Sequence, residues 1–260
     1  MIKSADEIAA MKVAGKLTAN VLEAVADIIR PGINTLQIDA FCERYIVDHL
    51  KARPASKGQY GFQFSVNTSV NHVICHGIPS QKQVLKKGDI VNVDVTVEKD
   101  GYMGDSSKMY CVGEVSRHAQ RLVDVTQQCL YAAIRCIKPG ARLGDLGFAI
   151  QQLAEKNNYS VVREFCGHGI GKEMHEAPQV LHYGKKGRGL ELRSGMTFTI
   201  EPMINQGKSE IKQHKDGWTV TTKDRRLSAQ WEHTVLVTDN GVEVLTLREE
   251  EKTLFEGIAP

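Results

Sequence analysis

Apolar residues recur at helical spacing from the start of the chain, where Ile8, Met11, Ala14, Leu17, Val21, Leu22, Val25 and Ile28 form one stripe. Ser4-Ala-Asp-Glu7 ahead of it reads as a capping box, and Pro31-Gly32 stops it. Thr35 opens a second helix expected to run to about Leu50. The order then returns, with helices over roughly Arg117 to Ile137 and Leu143 to Asn157 separated by Pro139-Gly140. Between and after these helix pairs the hydrophobic period falls to two. Strand blocks are expected over about 62–112 and 161–247, with polar, glycine-containing loops at 54–61, 184–189 and 206–217. Runs of helices and runs of strands that do not strictly alternate predict an α+β fold with mostly antiparallel sheet.

The returning order has an echo in the residues themselves. Leu85-Lys-Lys-Gly88-Asp-Ile-Val-Asn-Val-Asp94 and Leu192-Arg-Ser-Gly195-Met-Thr-Phe-Thr-Ile-Glu201 share one plan: a basic residue and a glycine, then an apolar-rich run closing on a carboxylate. Ile29-Arg-Pro31-Gly32 and Ile137-Lys-Pro139-Gly140 repeat at nearly the same offset. Together they predict a duplicated half-domain, with Asp94 and Glu201 facing each other across a pseudo-two-fold. The expected organisation is one body spanning residues 1–260, with related halves of roughly 1–115 and 116–250.

Composition narrows the function classes. A net charge of +2 with both signs interspersed demands no specific nucleic-acid partner. Six cysteines without a C-x-x-C pair, and an N-terminus without an apolar signal core, predict reduced thiols in a cytoplasmic protein. No apolar run is long enough to predict a membrane span.

In Ile90-Val-Asn-Val-Asp94-Val-Thr-Val97, alternation puts the valines on one face and Asn92, Asp94 and Thr96 on the other. Lys99-Asp100-Gly101-Tyr102 is a hairpin signal, and a two-residue loop there sets Thr96 opposite Asp105. Asp94 and Asp105 then become diagonal neighbours, about 7–8 Å apart at the backbone. Two such charges in a half-buried sheet repel unless a cation lies between them. For the hairpin alone, two solvated aspartates on an outer face are the alternative. The second half argues against it, because Thr197, Thr199 and Glu201 are expected to share one strand face and Glu232 to lie within the alternating strand Trp231–Val237, making four carboxylates from two related halves.

Cys75-His76-Gly and Gly167-His168-Gly place histidines beside glycine, where backbone can approach an ion or substrate closely, and His175 follows His168. An all-oxygen set suits magnesium or calcium, whereas carboxylates with one imidazole suit manganese, iron, cobalt or zinc. A site for two divalent metal ions, able to activate water and polarise a carbonyl, is expected, which is the equipment of a hydrolase.

These residues resemble those of the methionine aminopeptidases, in the short bacterial form often called type I. The segments that carry the resemblance are Asn92-Val-Asp94, Gly104-Asp105-Ser-Ser-Lys-Met109, Cys166-Gly-His168-Gly-Ile-Gly171, Met196-Thr-Phe-Thr-Ile-Glu201-Pro202-Met203 and Gln230-Trp-Glu232-His-Thr, and the likeness runs from the first helix to about Leu247. It implies the duplicated pita-bread (creatinase/aminopeptidase) fold, a curved, mostly antiparallel α+β sheet flanked by two helix pairs. It also implies a cytoplasmic metalloprotease that removes the initiator methionine from nascent polypeptides when the next residue is small. Carried over by position, the metal ligands are Asp94, Asp105, His168, Glu201 and Glu232, with Asp105 and Glu232 bridging. The resemblance further implies attack on the scissile carbonyl by a metal-bridging hydroxide, Glu201 relaying the proton. His175 is implied to stabilise the oxyanion and His76 to contact the scissile nitrogen.

The methionine pocket departs from the family habit of aromatic and cysteine residues, because its positions read Ser56, Gln59, Phe62 and Asn67, and Met174 stands where an aromatic is common. Phe62 and Trp218 still supply an apolar wall. Aminopeptidase P or prolidase is the rival enzyme, but its members usually carry an extra N-terminal domain, whereas the catalytic body here is expected to begin within the first few residues. A metal-free binding module of the same fold is the rival from another class, and the intact ligand set argues against it, as it does against a creatinase-like enzyme. A monomer is expected, with a ribosome contact suggested only by Lys185, Lys186 and Arg188.

Overall fold

A computed structural model describes residues 1–254. Helix α1 spans Ala5–Val25, and its capping box forms as the sequence predicts: the Ser4 hydroxyl accepts from the Glu7 amide at 3.3 Å and the Glu7 carboxylate accepts from the Ser4 amide at 2.9 Å. A 3-10 turn over Ala26–Ile28 finishes it before Pro31. Helix α2, Thr35–Arg44, is capped reciprocally by Asn34 and Gln37. Its expected reach to Leu50 is met in extent but not in type, because Tyr45–His49 widens into a π turn in which the Leu50 amide reaches the Tyr45 carbonyl. The wider turn keeps Ile46 buried with Ile38 and Cys42. Helices α3 (Arg117–Ile134) and α4 (Leu143–Lys156) form the second pair, and α3 tightens into 3-10 bonding at Cys136 and Ile137 rather than continuing as α-helix.

Every strand pairing among the described residues is antiparallel. The hairpin Ile90–Lys99 with Tyr102–Cys111 has the expected register, Thr96 opposite Asp105 and Asp94 opposite Ser107. Its loop residues Asp100 and Gly101 carry φ of 51° and 82°, both left-handed as a two-residue type I′ turn requires. Asn67–Val70 pairs on the other edge of Ile90–Lys99 and sets Asn67 opposite Asp94. In the second half, a five-stranded sheet runs in the order Val242–Val244, His233–Val237, Thr197–Ile200, Gly167–Gly169, Glu176–Val180. A small sheet of Ile211–Gln213, Val220–Thr222 and Val73–Cys75 ties the two halves together.

Val91, Val93, Val95 and Val97 are all fully buried against Val21, Leu22, Val25, Ile38 and Cys42 of α1 and α2. Each such valine contributes about 1.5–3 kcal/mol by the usual measure of side-chain burial. Phe198, Ile200, Val235 and Val237 pack in the same way with α3 and α4. The valine faces therefore fix which carboxylates turn away, towards the space between the halves. Helix α1 lies so close to the hairpin that a Cβ on Gly104 would stand 2.6 Å from the Gly15 Cα.

The echo between the halves is also a backbone pattern. The Gly32 amide donates to the Leu85 carbonyl at 2.8 Å and the Gly140 amide to the Leu192 carbonyl at 2.9 Å. Gly88 and Gly195, with φ of 95° and 85°, donate at 2.9 Å to the carbonyls of Val112 and Val237 respectively.

Candidate metal centre and substrate cleft

A cavity of about 360 Å³ opens where the two halves meet, lined by all five carboxylate and imidazole residues singled out as metal ligands and by His76, His175, Phe62, Met174 and Trp218. One ligand atom each from Asp105, His168 and Glu232 lies within 4.8 Å of the others. Glu201 Oε1 stands 3.5 Å from His168 Nε2, and Asp105 Oδ2 stands 3.9 Å from the same nitrogen.

Asp94 and Asp105 project from the hairpin by its alternation. Glu201 and Glu232 differ slightly from expectation: each sits one residue outside its strand rather than within it. The Glu201 amide donates to His182 Nε2 at 3.2 Å, and Pro202 after it has no amide to continue a ladder. The Glu232 amide crosses the seam to the Ser107 carbonyl at 3.1 Å. The glycines around the histidines also do another job than the one expected. A Cβ on Gly167 would meet the Thr199 carbonyl oxygen at 2.3 Å, one on Gly169 the Ala177 oxygen at 2.1 Å, and one on Gly77 the Thr68 oxygen at 2.1 Å. These glycines admit neighbouring backbone, not ligand.

The electrostatics follow from burial. Desolvation raises Asp94 to about 7, and desolvation together with the charges of the neighbouring carboxylates holds Asp105, Glu201 and Glu232 well above the ordinary carboxylate range. Among the described residues, no Lys or Arg lines the cavity. Four clustered carboxylates, Asp105 and Glu232 buried and Asp94 and Glu201 partly buried, without a cationic side chain in the cavity must take up protons or a cation, so the donor set fits hard or borderline divalent metal ions. Burial, then the nearby His175, lowers His168 to about 4. Its Nδ1 donates to the Gly169 carbonyl at 3.1 Å, which leaves the Nε2 lone pair facing the carboxylates. Thr199 supports both groups, accepting from the His168 amide and donating to Glu201 Oε1, each at 3.0 Å.

His76 has φ of 55°, a left-handed setting that costs energy for a residue with a Cβ, and its ring is set edge-on to Phe165 and Trp218. His175 lies 4.3 Å from His168 between ring centroids. Burial lowers the pKa of both His76 and His175. Ser56, Gln59 and Asn67 line the cavity as the departing pocket positions, and Asn67 hydrogen-bonds Asp94. Two contributors, Tyr60 and His182, were not foreseen, nor was the contact of Asn67 with Asp94. Tyr60, left-handed at φ 49° and exposed at the mouth, sets its hydroxyl 3.3 Å from His175 Nδ1; fully buried His182 supports Glu201; Asn67 braces Asp94. Tyr60 sits in a segment that reads only as loop. His182, between Leu181 and Tyr183, has no pattern that separates it from a structural histidine.

Residues 9–239 match the metallopeptidase family M24. The chain belongs to that family. Among M24 metallopeptidases it is 53% identical over 250 residues to the methionine aminopeptidase of Escherichia coli (strain K12), covering 96% of this chain and 95% of the relative. The crystal structure of methionine aminopeptidase from Rickettsia prowazekii superposes with a TM-score of 0.93 at 49% identity, covering 95% of this chain and 99% of that one. Prolidase from Pyrococcus furiosus shares the fold, with a TM-score of 0.77 at 22% identity over 95% of this chain and 66% of that one. The pita-bread α+β fold of the M24 metallopeptidases is thus the fold of this chain.

Proposed function

We propose that the chain is a metal-dependent aminopeptidase that removes the N-terminal methionine of nascent polypeptides when the second residue is small. The observation that carries this reading is the convergence of Asp105, His168 and Glu232 at the wall of a cleft that also holds Phe62, Met174 and Trp218. Asp94, Asp105, His168, Glu201 and Glu232 would hold two divalent ions, drawn from cobalt, manganese, iron or zinc, with Asp105 and Glu232 shared. When bound, such ions supply Lewis-acid polarisation and lower the pKa of water.

The chain's own residues supply the rest. The raised carboxyl of Glu201 can accept a proton and return it to the leaving amine. His76 and His175, kept neutral by burial, each offer an N–H, His175 towards the carbonyl oxygen as it gains charge and His76 towards the scissile nitrogen. Phe62 and Trp218, with ring centroids 4.9 Å apart, form an apolar wall for the methionine side chain.

The prolidase-like reading is not favoured, since 22% identity to a prolidase stands against 53% to a methionine aminopeptidase. The reading extends to one catalytic domain over 1–260 with halves near 1–115 and 116–250, supported by the repeated backbone bonds at Gly32 and Gly140. It extends to a monomer in the cytoplasm, supported there by six free cysteines. No helix among the described residues is long and apolar enough to cross a membrane. Lys185, Lys186 and Arg188 lie on an exposed loop available for a ribosome contact. Release of free methionine from Met-Ala-Ser but not from Leu-Ala-Ser, by protein reconstituted with single metals, tests the activity; no release with any metal would overturn it.

Two further outcomes separate the roles. His76→Ala and His175→Ala are expected to keep metal stoichiometry in calorimetric titration and to lose about 10²–10³ in kcat. A stoichiometry reduced as in Asp94→Ala would move that histidine to the metal shell. Met174, 6% exposed at the cavity wall, sets the pocket's shape. Met174→Phe should therefore change the kcat/KM ratio of Met-Ala-Ser to Leu-Ala-Ser by about 1–3 kcal/mol. An unmoved ratio would remove residue 174 from the pocket.

A further inference from the structure

The seam that carries Asp105 and Glu232 has a second face. Alternation turns Ser106 and His233 away from the cleft when their neighbours Asp105 and Glu232 turn into it. On that far face lies a charged cluster with no part in the mechanism above. Arg248 and His233 are fully buried and Glu251 is 1% exposed. The Arg248 guanidinium donates to Glu251 Oε1 at 2.8 Å through one nitrogen and to the Ser106 hydroxyl at 3.1 Å through another. The Ser106 hydroxyl in turn donates to the Glu232 main-chain carbonyl at 2.5 Å. Tyr131 of α3 donates to Glu251, and the Arg248 guanidinium lies 5.4 Å from the centroid of the Trp231 ring.

Burying an arginine is unfavourable unless its donors are matched; here a hydroxyl and a carboxylate match its two terminal nitrogens and an aromatic face lies beside it, while the buried Nε has no hydrogen-bond partner among the described residues and stands 4.0 Å from Glu250 Oε1. What this cluster joins is specific. Residues 102–111 come from the first half and residues 228–237 from the second, and the direct seam bonds beside the carboxylates are few: the Glu232 amide to the Ser107 carbonyl, and Thr234 Oγ1 with both the amide and carbonyl of Asp105 at 3.0 and 2.7 Å. Ser106 adds a further link, at the residue between Asp105 and Ser107, beside the bond from Asn92 Nδ2 to the Gln230 carbonyl at 2.8 Å. Its hydroxyl is held in one orientation because Arg248 occupies its acceptor side.

We propose that Arg248, acting through Ser106, is a positioning residue for the metal centre: the segment after the last strand reaches behind the seam and fixes the spacing of Asp105 and Glu232 for divalent cations. The inference rests on the ligand assignment above. Groups that orient metal ligands from outside change metal affinity by about 10–100-fold when removed.

The test is calorimetric titration of manganese into chelated full-length protein for wild type, Ser106→Ala, Arg248→Met and Arg248→Lys, with amide hydrogen exchange on the same metal-free proteins. Ser106→Ala and Arg248→Met are expected to weaken the tighter site by about 10–100-fold, with Arg248→Lys recovering part of the loss. Exchange should quicken at the Asp105 and Glu232 amides and stay unchanged at Val91, Val93 and Val95. Ser106→Ala leaves the Arg248–Glu251 pair intact, so it carries the test if Arg248→Met fails to fold. Metal affinity unchanged in Ser106→Ala, or exchange quickened uniformly along the sheet, would overturn the inference while leaving the ligand assignment standing. A wild-type chain that takes up no manganese, cobalt or ferrous iron would overturn both.

Discussion

Asp105→Ala and Glu232→Ala should lower kcat/KM for Met-Ala-Ser further than any other single substitutions in the cleft, by more than the ~100-fold typical of groups that only orient metal ligands. Each removes a carboxylate from the tightest part of the donor cluster, and each is proposed to serve both ions. The loss should appear in composition as well as rate, so metal content of the purified variants is measured beside kcat/KM. Asp94→Ala, at a residue proposed to serve one ion, should retain more metal than either. Full metal content in Asp105→Ala would remove that residue from the ligand set.

Chelation should abolish activity, and manganese, cobalt or ferrous iron should restore it, because among the described residues no serine or cysteine is hydrogen-bonded to a histidine base and the groups gathered in the cleft are cation ligands. The pH dependence has a definite sign. Burial raises Asp94 from 3.8 to about 7, and the other three carboxyls are raised well above their ordinary values. In the chelated chain their stabilising contribution is fully present below the unfolded carboxylate range and is lost as pH rises towards 7 and beyond. His168 runs oppositely: its contribution is present above 6.5 and lost as pH falls through about 4, so near neutrality it is already the neutral ligand form. Cations compete with protons for the carboxylates, and so the rise in Tm on adding metal should grow from about pH 5.5 to about pH 8. A metal-induced rise that shrinks across that interval would contradict the buried-carboxylate account, as would undiminished activity after chelation.

The hairpin was legible to the residue because Asp100-Gly101 permits one loop geometry and four valines permit one face. From those two constraints the Asp94–Asp105 relation follows without tertiary information. Glu201 and Glu232 were legible as carboxylates but not in their settings, since Pro202 and the crossing to Ser107 end the ladders just where the cluster forms. The π turn after Arg44 has no signature in hydrophobic spacing, which is the same for either helix over so short a run. The glycines beside His76 and His168 were seen but misassigned, because the chain alone cannot say whether a missing Cβ makes room for a ligand or for another strand. Arg248 was invisible for a different reason. An arginine among glutamates reads as solvated surface, and it is the meeting of Ser106, Glu251 and the Trp231 ring around it that makes burial tolerable.

The division of the proposed ligand set across the seam carries an expectation about when this protein can act during its own synthesis. Residues up to about 115 emerge from the ribosome first, as translation proceeds N-terminus first. They carry Asp94 and Asp105 but none of His168, Glu201 or Glu232. A growing chain with only its leading portion folded thus holds two aspartates and no hydrolytic centre. On the ligand set proposed above, activity is expected only once Glu232 has docked beside Ser107. Copies that end before Glu232 are expected to release no methionine from Met-Ala-Ser.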